Sequence, residues 1–308
     1  EDADGDAMFA RVFPMDMRPQ AHDIIRTWLF ATVVRSHYEH GTAPWANAAL
    51  SGWILDPDRK KMSKSKGNVV TPMELFDTYG TDAVRYWAGS ARPGTDTAFS
   101  EEQMKVGRKL ANKLLNVSRF VLGIGDTADG VEPTDPVDLS MLARLDAVIV
   151  EATTAFTGFD YARALERTEA FFWWFCDDYV ELVKSRAYGS RGDDAAHGAR
   201  AALRTALSAL QRLLAPVLPF ASEEAWSWWN DGSVHIAPWP EPIGSGGDPT
   251  LLDPGLEVLA LVRRAKTQAK ASQRTKVAVA RVGAPPEYHP AIQTVLADLR
   301  DAGSIVEL

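Results

Sequence analysis

The sequence predicts a mainly α protein in which a helical bundle lies between two smaller α/β segments. A helix, a short strand, a basic loop and a helix follow one another near the start, which is typical of the edge of an α/β domain. Long stretches with helical spacing and short loops fill the middle, as in helical bundles. A segment rich in proline and glycine then precedes a helix–strand–helix–strand pattern. The predicted segments are a flexible acidic start, the α/β edge, the bundle and the α/β module, at 1–12, 13–97, 98–240 and 255–308.

Length and composition limit the class of protein. The chain has 308 residues, of which 46% are hydrophobic and 24% charged, so bulk disorder is excluded. A formal net charge of −8 argues against a chain that coats nucleic acid everywhere, but it allows a local basic surface. No apolar run reaches the roughly 18–20 residues that span a bilayer, and no signal peptide is recognisable. The single cysteine, Cys176, cannot form an internal disulfide, and a cytoplasmic setting is the expectation.

Turn and capping signals define the elements of the first segment. The apolar spacing predicts a helix over 22–38, and the run ALSGWIL predicts a buried strand over 49–55 that ends at an Asp-Pro-Asp turn. A basic loop over 59–68 follows. The sequence TPME, which begins at Thr71, predicts the start of a helix, with its threonine at the N-cap and its proline at N1.

Helical periodicity defines the bundle, and shorter apolar runs define the module after it. Ser100 and Gln103 resemble a capping box at the start of the first bundle helix. The further helices of the bundle are predicted at 139–156, 160–186 and 195–214, with a short aromatic helix after Pro219. The strands of the module are predicted at 277–282 and 305–308.

The most informative feature is the basic loop, which contains the string KMSKS at 61–65. Within 59–66 the basic residues are Arg59, Lys60, Lys61, Lys64 and Lys66. Ammonium groups stabilise charge that develops on a pyrophosphate, and a mobile loop can close on it and then release it. Composition alone leaves a solvated basic linker as an equally good interpretation.

The string KMSKS, its flanks GWILDPDRK and KGNVVTP, and the segment RPQAHDIIRTW resemble the class I aminoacyl-tRNA synthetases. In that family KMSKS is the second signature motif, which follows a strand of a Rossmann-like nucleotide-binding domain. The resemblance covers about 13–308 and implies that 13–97 is the C-terminal edge of that domain. It also implies that 98–240 is an antiparallel anticodon-binding bundle. The segment FFWWFCDDYVELVKSRAY is most similar to members specific for valine, with isoleucine-specific members second.

The resemblance implies a role for each residue that matches a family motif. Lys64 and Lys61 are the expected catalytic residues, as ligands of the ATP phosphates. The further ATP-binding residues are expected to be Met62, Ser63, Ser65 and Asp23. Gln20 would lie near the amino acid, Trp28 would form a wall of its side-chain pocket, and Asp23 would bind the ribose. Implied partners are valine, tRNA(Val) and ATP with its Mg²⁺, and we expect no metal site in the chain itself.

The first signature motif of the family, His-x-Gly-His, is absent from the sequence. The stretch His37-Tyr38-Glu39-His40 has a similar outline, but it lacks the glycine that lets a nucleotide approach the backbone. Further metal ligands are not evident beside it either. We therefore expect a C-terminal piece of an enzyme that needs its N-terminal half and is inactive alone. The alternatives are a piece of an isoleucine-specific enzyme or a non-catalytic tRNA-binding paralogue.

Two basic stretches without acids, at 105–119 and 263–276, are predicted to contact tRNA phosphates. The alternative is that they are solvated helix faces. The second stretch places positions 263, 266, 270 and 274 on one helical face. The predicted contact residues are Lys105, Arg108, Lys109, Lys113, Arg263, Lys266, Lys270 and Arg274.

Anticodon recognition requires unpaired bases that stack on aromatic side chains or arginine. The candidates in the bundle are Phe171, Phe172, Trp173, Trp174, Phe175, Trp226, Trp228 and Trp229. Most of them must lie in the core, because five consecutive aromatic residues cover all sides of a helix. The adjacent acids Asp177 and Asp178 are expected to form salt bridges with Lys184 or Arg186 rather than a catalytic pair.

Overall fold

A computed structural model describes residues 3–63, 65, 67–128 and 130–308, and the chain divides into two units. Unit 1 comprises Glu1–Gly107 and Ala155–Arg163, and unit 2 comprises Arg108–Thr154 and Ala164–Leu308. The described residues are mostly helical, with six short strands that pair two by two in parallel. This confirms the prediction that the chain is mainly α. No helix in the described part of the chain is long and apolar enough to cross a membrane.

Unit 1 is built around a parallel strand pair. Strand β1, Met15–Ala21, pairs with β2, Trp45–Ser51, in a register that places Gln20 opposite Leu50. A parallel pair needs a crossover connection. The crossover consists of a 3-10 turn, a π turn and helix α2, at His22–Ile24, Ile25–Leu29 and Phe30–His40. The single helix predicted over 22–38 is therefore divided into three pieces.

The first residues differ from the flexible start that the sequence predicts. Helix α1 spans Ala3–Val12. The Phe9 ring stacks on Phe13 at 4.8 Å between centroids and lies 5.3 Å from the His40 ring. These apolar contacts give the acidic segment a packing partner.

The rest of unit 1 contains a second parallel pair and two helices. Strands β3 and β4, at Ile54–Leu55 and Thr97–Ala98, pair with each other, and helices α3 and α4 lie between them at Pro72–Tyr79 and Thr81–Gly89. The strand predicted over 49–55 is interrupted at Gly52, where a Cβ atom would lie 2.2 Å from the Thr95 carbonyl oxygen. Thr71 is the N-cap of α3 as predicted, although its side chain makes no capping hydrogen bond.

Unit 2 contains helices and parts of helices joined by short connections. The helices that contribute to it are α5, Glu101–Gly123; α6, Pro136–Thr157; α7, Tyr161–Trp174; α8, Val180–Ala187; α9, Asp193–Leu214; and α10, Pro219–Ser227. A π turn, Phe175–Tyr179, separates α7 from α8. Leucines on one face of α9 are fully buried, which explains why its periodicity predicts a helix. They are Leu203, Leu207, Leu210 and Leu214.

The last part of unit 2 is the predicted helix–strand–helix–strand module. Its elements are α11, Asp253–Gln268; β5, Val277–Val279; α12, His289–Gly303; and β6, Ile305–Glu307. Helix α11 ends in a Schellman motif, because the N–H groups of Lys270 and Ala271 donate to the carbonyls of Thr267 and Lys266 and Lys270 has φ 53°. The shared helical face predicted for positions 263, 266, 270 and 274 is therefore wrong, since the helix ends before 270.

A buried ion network joins α6, α8 and α12 in unit 2. Arg186 is 1% exposed and donates to both carboxylate oxygens of Asp138 at 2.7 Å and to Asp298 at 3.3 Å. Tyr179 donates its hydroxyl to Asp138 at 2.6 Å. Burying a guanidinium requires such paired and hydrogen-bonded carboxylates. Arg186 is thus committed to the core rather than to Asp177 or Asp178.

Candidate functional site

The first candidate site lies in unit 1, where β1 and β2 end. Because the two strands are parallel, their carboxyl ends meet at one edge, and this is where open α/β sheets bind ligands. Gln20 and Ala21 end β1 opposite Leu50 and Ser51. His22 follows directly, with its Nδ1 atom 3.2 Å from the Ser51 carbonyl oxygen. The residues predicted around Gln20 therefore lie at the edge where a ligand site is expected.

Trp53 connects this edge to the basic loop. Its ring centroid lies 4.7 Å from the His22 ring, and the Lys61 Nζ atom lies 3.9 Å from the Trp53 ring centroid. The structure thus brings Lys61 into the neighbourhood of His22 and Asp23, although about 40 residues separate them in the sequence. Lys64 and Lys66 lie outside the described residues.

Two residues that the sequence analysis did not select, Asp56 and Asn68, hold the two ends of the basic loop together. The Asn68 amide donates to Asp56 Oδ2 at 2.7 Å and to the Lys61 carbonyl at 3.3 Å, and its oxygen accepts the Ser63 N–H at 2.9 Å. Asp56 Oδ1 also accepts the Lys60 N–H at 2.7 Å. The hydrogen bond from Asn68, followed by that from Lys60, lowers the pKa of the Asp56 carboxyl. We call this arrangement the Asp56–Asn68 clamp.

A signal for this clamp is present in the sequence. Asp56 opens an Asp-Pro-Asp turn and Asn68 follows a glycine, and Asx side chains in turns bond nearby backbone groups. The sequence does not show that these two turns lie against each other. Between them, the Ser63 and Ser65 hydroxyl oxygens lie 2.7 Å apart.

The remaining residues predicted around the ligand differ in exposure. Gln20 is 8% exposed and its Oε1 atom has no hydrogen-bond partner within the described chain, which is uncommon for a buried polar atom. Trp28 is 46% exposed, and the Arg18 guanidinium carbon lies 3.7 Å from its ring centroid. Asp23 is exposed, while Met62 and Ser63 are half-buried. No group of three or more His, Cys, Asp or Glu side chains able to hold a metal occurs in the described ranges.

The second candidate site is a polar cleft of about 510 Å³ in unit 2. It is lined by residues of α5, the π turn, α8, α11 and the end of α12, and by the turns that precede β5 and β6. The cleft contains cations from both basic stretches that the sequence analysis selected. Its charged residues are Lys113, Asp177, Glu181, Lys184, Arg263, Lys266 and Arg274.

Acids neutralise several of the basic residues that are predicted to contact RNA. Lys113 pairs with Asp177 at 2.7 Å and Arg263 lies 4.0 Å from Asp178, so these two acids have partners other than the expected Lys184 and Arg186. In unit 1, Lys105 lies 3.9 Å from Glu101. The predicted residues that remain exposed in unit 2 are Arg108, Lys109, Lys270 and Arg274.

Lys266 differs from the solvent-facing position that the sequence predicts. It is buried, and its Nζ atom donates to the carbonyls of Gln273 and Gly303 at 2.8 Å each. Burial lowers the pKa of the Lys266 ammonium group. The predicted phosphate contact of Lys266 is corrected accordingly, because this side chain stabilises two turns that line the cleft.

The aromatic candidates of the bundle are used within unit 2. Four of them are buried, namely Phe171, Phe172, Phe175 and Trp226. Among the half-buried tryptophans, Trp173, Trp228 and Trp229 donate their indole N–H groups to Glu169, Glu224 and Gln211. The Arg144 guanidinium carbon lies 4.3 Å from the ring centroid of the fourth, Trp174. An exposed aromatic residue that the sequence analysis did not select, Tyr188, lies at the end of α8.

Comparison with known proteins assigns both units to one group of enzymes. The model described as tRNA synthetases class I (I, L, M and V) matches residues 3–100, and the model for the anticodon-binding domain of tRNA ligase matches residues 138–281. The chain is 60% identical over 278 residues to the valine–tRNA ligase of Thermobifida fusca and 56% identical over 326 residues to that of Salinispora tropica. The chain belongs to the class I tRNA synthetases. This confirms the family that the KMSKS string and its flanks predict.

The matches cover most of this chain but a much smaller share of each relative. The two alignments cover 88% and 98% of this chain but 31% and 38% of the relatives. The valine–tRNA ligase of Bifidobacterium longum is 46% identical over 318 residues, which cover 97% of this chain and 36% of that relative. The chain therefore spans about a third of the length of the curated class I synthetases that it matches.

A solved structure supports the fold at lower sequence similarity. The LeuRS of Agrobacterium radiobacter K84, crystallised as a ternary complex with tRNA and LeuAMS, has a TM-score of 0.58 at 20% identity. The match covers 75% of this chain and 29% of that chain. At this identity the likeness shows a shared fold alone.

Proposed function

We propose that this chain is part of an enzyme that activates valine with ATP and transfers it to the 3′ end of tRNA(Val). The observation that carries this proposal is the anchored basic loop. The Asp56–Asn68 clamp holds its ends, and Lys61 lies over Trp53 beside the carboxyl edge of β1 and β2. The similarity to valine–tRNA ligases favours valine over isoleucine as the amino acid.

The nucleotide fits the chemistry of the loop. Lys61, with Lys64, would hold the phosphates of ATP, because fixed ammonium groups stabilise the charge that develops on the departing pyrophosphate. The hydroxyls of Ser63 and Ser65 would donate to phosphate oxygens, and the Met62 backbone would lie beside the adenine. Asp23 is exposed at the same edge, where its carboxylate can accept hydrogen bonds from ribose hydroxyls. ATP supplies the leaving group, and Mg²⁺ would arrive with it.

The amino acid would bind at the end of β1. The unpartnered Oε1 atom of buried Gln20 supports this role, because a ligand amino group would satisfy it. The exposed Trp28 would form a wall of the side-chain pocket. One methylene in such a pocket gives only about 1–3 kcal/mol of discrimination, so this pocket alone separates valine from isoleucine weakly.

Unit 2 would bind the tRNA. We assign to it an antiparallel anticodon-binding bundle followed by the small α/β module, in a cytoplasmic enzyme. The exposed cations of the bundle and the module, Lys109, Lys270 and Arg274, would contact backbone phosphates, which gives affinity with little sequence discrimination.

The test is amino-acid-dependent ATP–pyrophosphate exchange by the whole protein that contains this segment. Exchange should depend on valine, and Lys61→Ala should lower its rate by about 10²- to 10³-fold, as expected for losing one charge-stabilising group. Lys60→Ala is the matched control, because Lys60 is exposed and only weakly paired with Asp58. Faster exchange with isoleucine would favour the isoleucine-specific alternative, and no exchange with either would favour the paralogue. The 308-residue chain alone should show little or no exchange, since it lacks the His-x-Gly-His motif.

A further inference from the structure

Tyr188 is an exposed aromatic residue whose ring contacts a second aromatic ring. Its side chain is 61% exposed, while its ring packs edge to face against Phe120, with 6.1 Å between centroids and an interplanar angle of 75°. The Lys184 Nζ atom lies 5.3 Å from the Phe120 ring centroid and 3.1 Å from Glu181 Oε1, so an ammonium group that is paired with an acid flanks the aromatic pair. An exposed ring beside a cation is the combination that single-stranded nucleic acids bind.

The backbone around Tyr188 is fixed before any ligand binds. The Tyr188 N–H donates to the Lys184 carbonyl at 3.1 Å and so closes α8. Ser190 and Arg191, just after it, donate to Asp301 of α12, at 3.4 and 3.3 Å. Arg191 also pairs with Asp298 at 2.8 Å. Because the backbone that carries the Tyr188 ring is already fixed, this segment loses little conformational freedom on binding, which favours affinity.

The polar cleft continues from this aromatic pair. Lys184 lines the cleft and also flanks Phe120, so the two features are contiguous. Lys113, Lys184 and Arg263 pair with acids and Lys266 is buried, whereas no ion pair to Arg274 occurs among the described residues. The exposed Arg274 guanidinium therefore offers the cleft a positive charge that has no ion-pair partner in the described part of the chain.

We propose that Tyr188, supported by Phe120, stacks on an unpaired base of the tRNA anticodon loop, while Arg274 contacts a neighbouring backbone phosphate. This inference rests on the proposed function and names the stacking residue that it requires. Tyr188 and Arg274 both lie within the 138–281 match to the anticodon-binding domain. The bundle tryptophans are less suited to this task, because three donate their N–H groups within the unit and Trp174 packs beside Arg144.

The first experiment measures binding of fluorescent tRNA(Val) to the 308-residue chain. Tyr188→Ala should raise the Kd by about 5- to 150-fold, the range for losing one stacked base, whereas Tyr188→Phe should stay within about twofold. Tyr288→Ala is the matched control, because Tyr288 is 45% exposed in the same unit and has no ring or cation contact among the described residues. Arg274→Gln should reduce the slope of log Kd against log salt by about 1, whereas Tyr188→Ala should leave that slope unchanged.

A second experiment separates stacking from a structural effect of the substitution. Each anticodon-loop nucleotide of tRNA(Val) is replaced in turn by an abasic residue, and binding to the unmodified chain and to Tyr188→Ala is compared. One abasic position should abolish the penalty of Tyr188→Ala, because the two changes remove the same contact. A penalty that persists with every abasic tRNA would overturn the proposal.

The outcomes also separate this inference from the proposed function. If the unmodified chain prefers the valine anticodon and Tyr188→Ala binds equally well, the stacking role is wrong and the function stands. If the unmodified chain binds without regard to the anticodon but Tyr188→Ala weakens it, the valine-specific function loses its support and the stacking role stands. Absence of binding by the unmodified chain would contradict both.

Discussion

Asn68 is the residue on which the geometry of the basic loop most depends. Its side chain makes three hydrogen bonds, to Asp56, Lys61 and Ser63. The pKa of Asp56 is lowered in the folded chain, so the clamp contributes fully above the ordinary carboxyl pKa of about 3.9. Its contribution is lost as the pH falls through the lowered value. At neutral pH the clamp is therefore complete.

Replacing Asn68 should open the loop to proteolysis. Asn68→Ala leaves the Ser63 N–H and Asp56 Oδ2 without their partners, and each lost hydrogen bond contributes about 0.5–1.5 kcal/mol. We expect trypsin to cleave after Arg59, Lys60 or Lys61 at least about five times faster than in the unmodified chain, because cleavage follows the population of the open form. Mass spectrometry of the early products measures this rate. Asn47→Ala, which removes a single 3.2 Å hydrogen bond to the Asp16 carbonyl, is the control. Equal cleavage of all three chains would contradict the clamp.

Cys176 should be chemically inert in the folded chain. Burial raises the pKa of its thiol to about 12, so at pH 8 only about one molecule in 10⁴ carries the reactive thiolate. A disulfide reagent should leave the native chain unmodified at pH 8 and label one equivalent after unfolding in urea, because the sequence has one cysteine. Raising the pH towards 12 should increase the native reaction. Complete labelling of the native chain within minutes at pH 8 would show that the thiol is accessible.

At the scale of elements, the buried Arg186 network should dominate the stability of unit 2. Asp138→Asn keeps the side-chain shape but removes the charge that faces Arg186, and breaking a buried pair costs about 3–5 kcal/mol. Urea unfolding followed by circular dichroism measures the loss. Glu151→Gln is the control, since its pair with Arg167 at 3.2 Å is about half exposed and such pairs contribute about 0–1 kcal/mol. Equal losses for the two variants would contradict the account.

Helices with local signals were predictable from the sequence. The proline at position 72 begins α3 as expected, and the leucine stripe of α9 is buried as its spacing indicates. Strand β1 was missed because MDMRPQA contains a proline and two charged residues, which argue against a strand, and it becomes a strand by pairing with β2. The end of α11 was missed because Lys270, rather than glycine, adopts the left-handed conformation there.

The candidate sites were predictable in part, because some of their signals lie within one stretch of sequence and others depend on contacts between distant residues. A linear string indicates the basic loop, but the Asp56–Asn68 clamp depends on two turns that meet only in the fold. The basic stretches indicate the cleft, but sequence does not show that Asp177 and Asp178 neutralise two of its cations. Tyr188 lies outside the aromatic run Phe171–Phe175, and its exposure follows from its place at the end of α8.

At the scale of the whole molecule, two family models match different parts of the chain. Unit 1 carries the basic loop and the carboxyl edge of β1 and β2, for which we propose nucleotide binding, and unit 2 carries the cleft and Tyr188, for which we propose RNA binding. The class I synthetase model matches residues 3–100, which lie in unit 1, and the anticodon-binding model matches 138–281, most of which lie in unit 2. We propose that unit 2 recognises the anticodon of tRNA(Val).

The most direct test measures binding of the 308-residue chain to tRNA(Val) and to the same tRNA with its central anticodon base replaced, across a salt series. We expect the replacement to weaken binding at every salt concentration with little change in the salt slope, because base contacts determine the specificity and phosphate contacts determine the slope. Equal binding of the two tRNAs with a steep salt slope would contradict the claim, since only phosphate contacts would then remain.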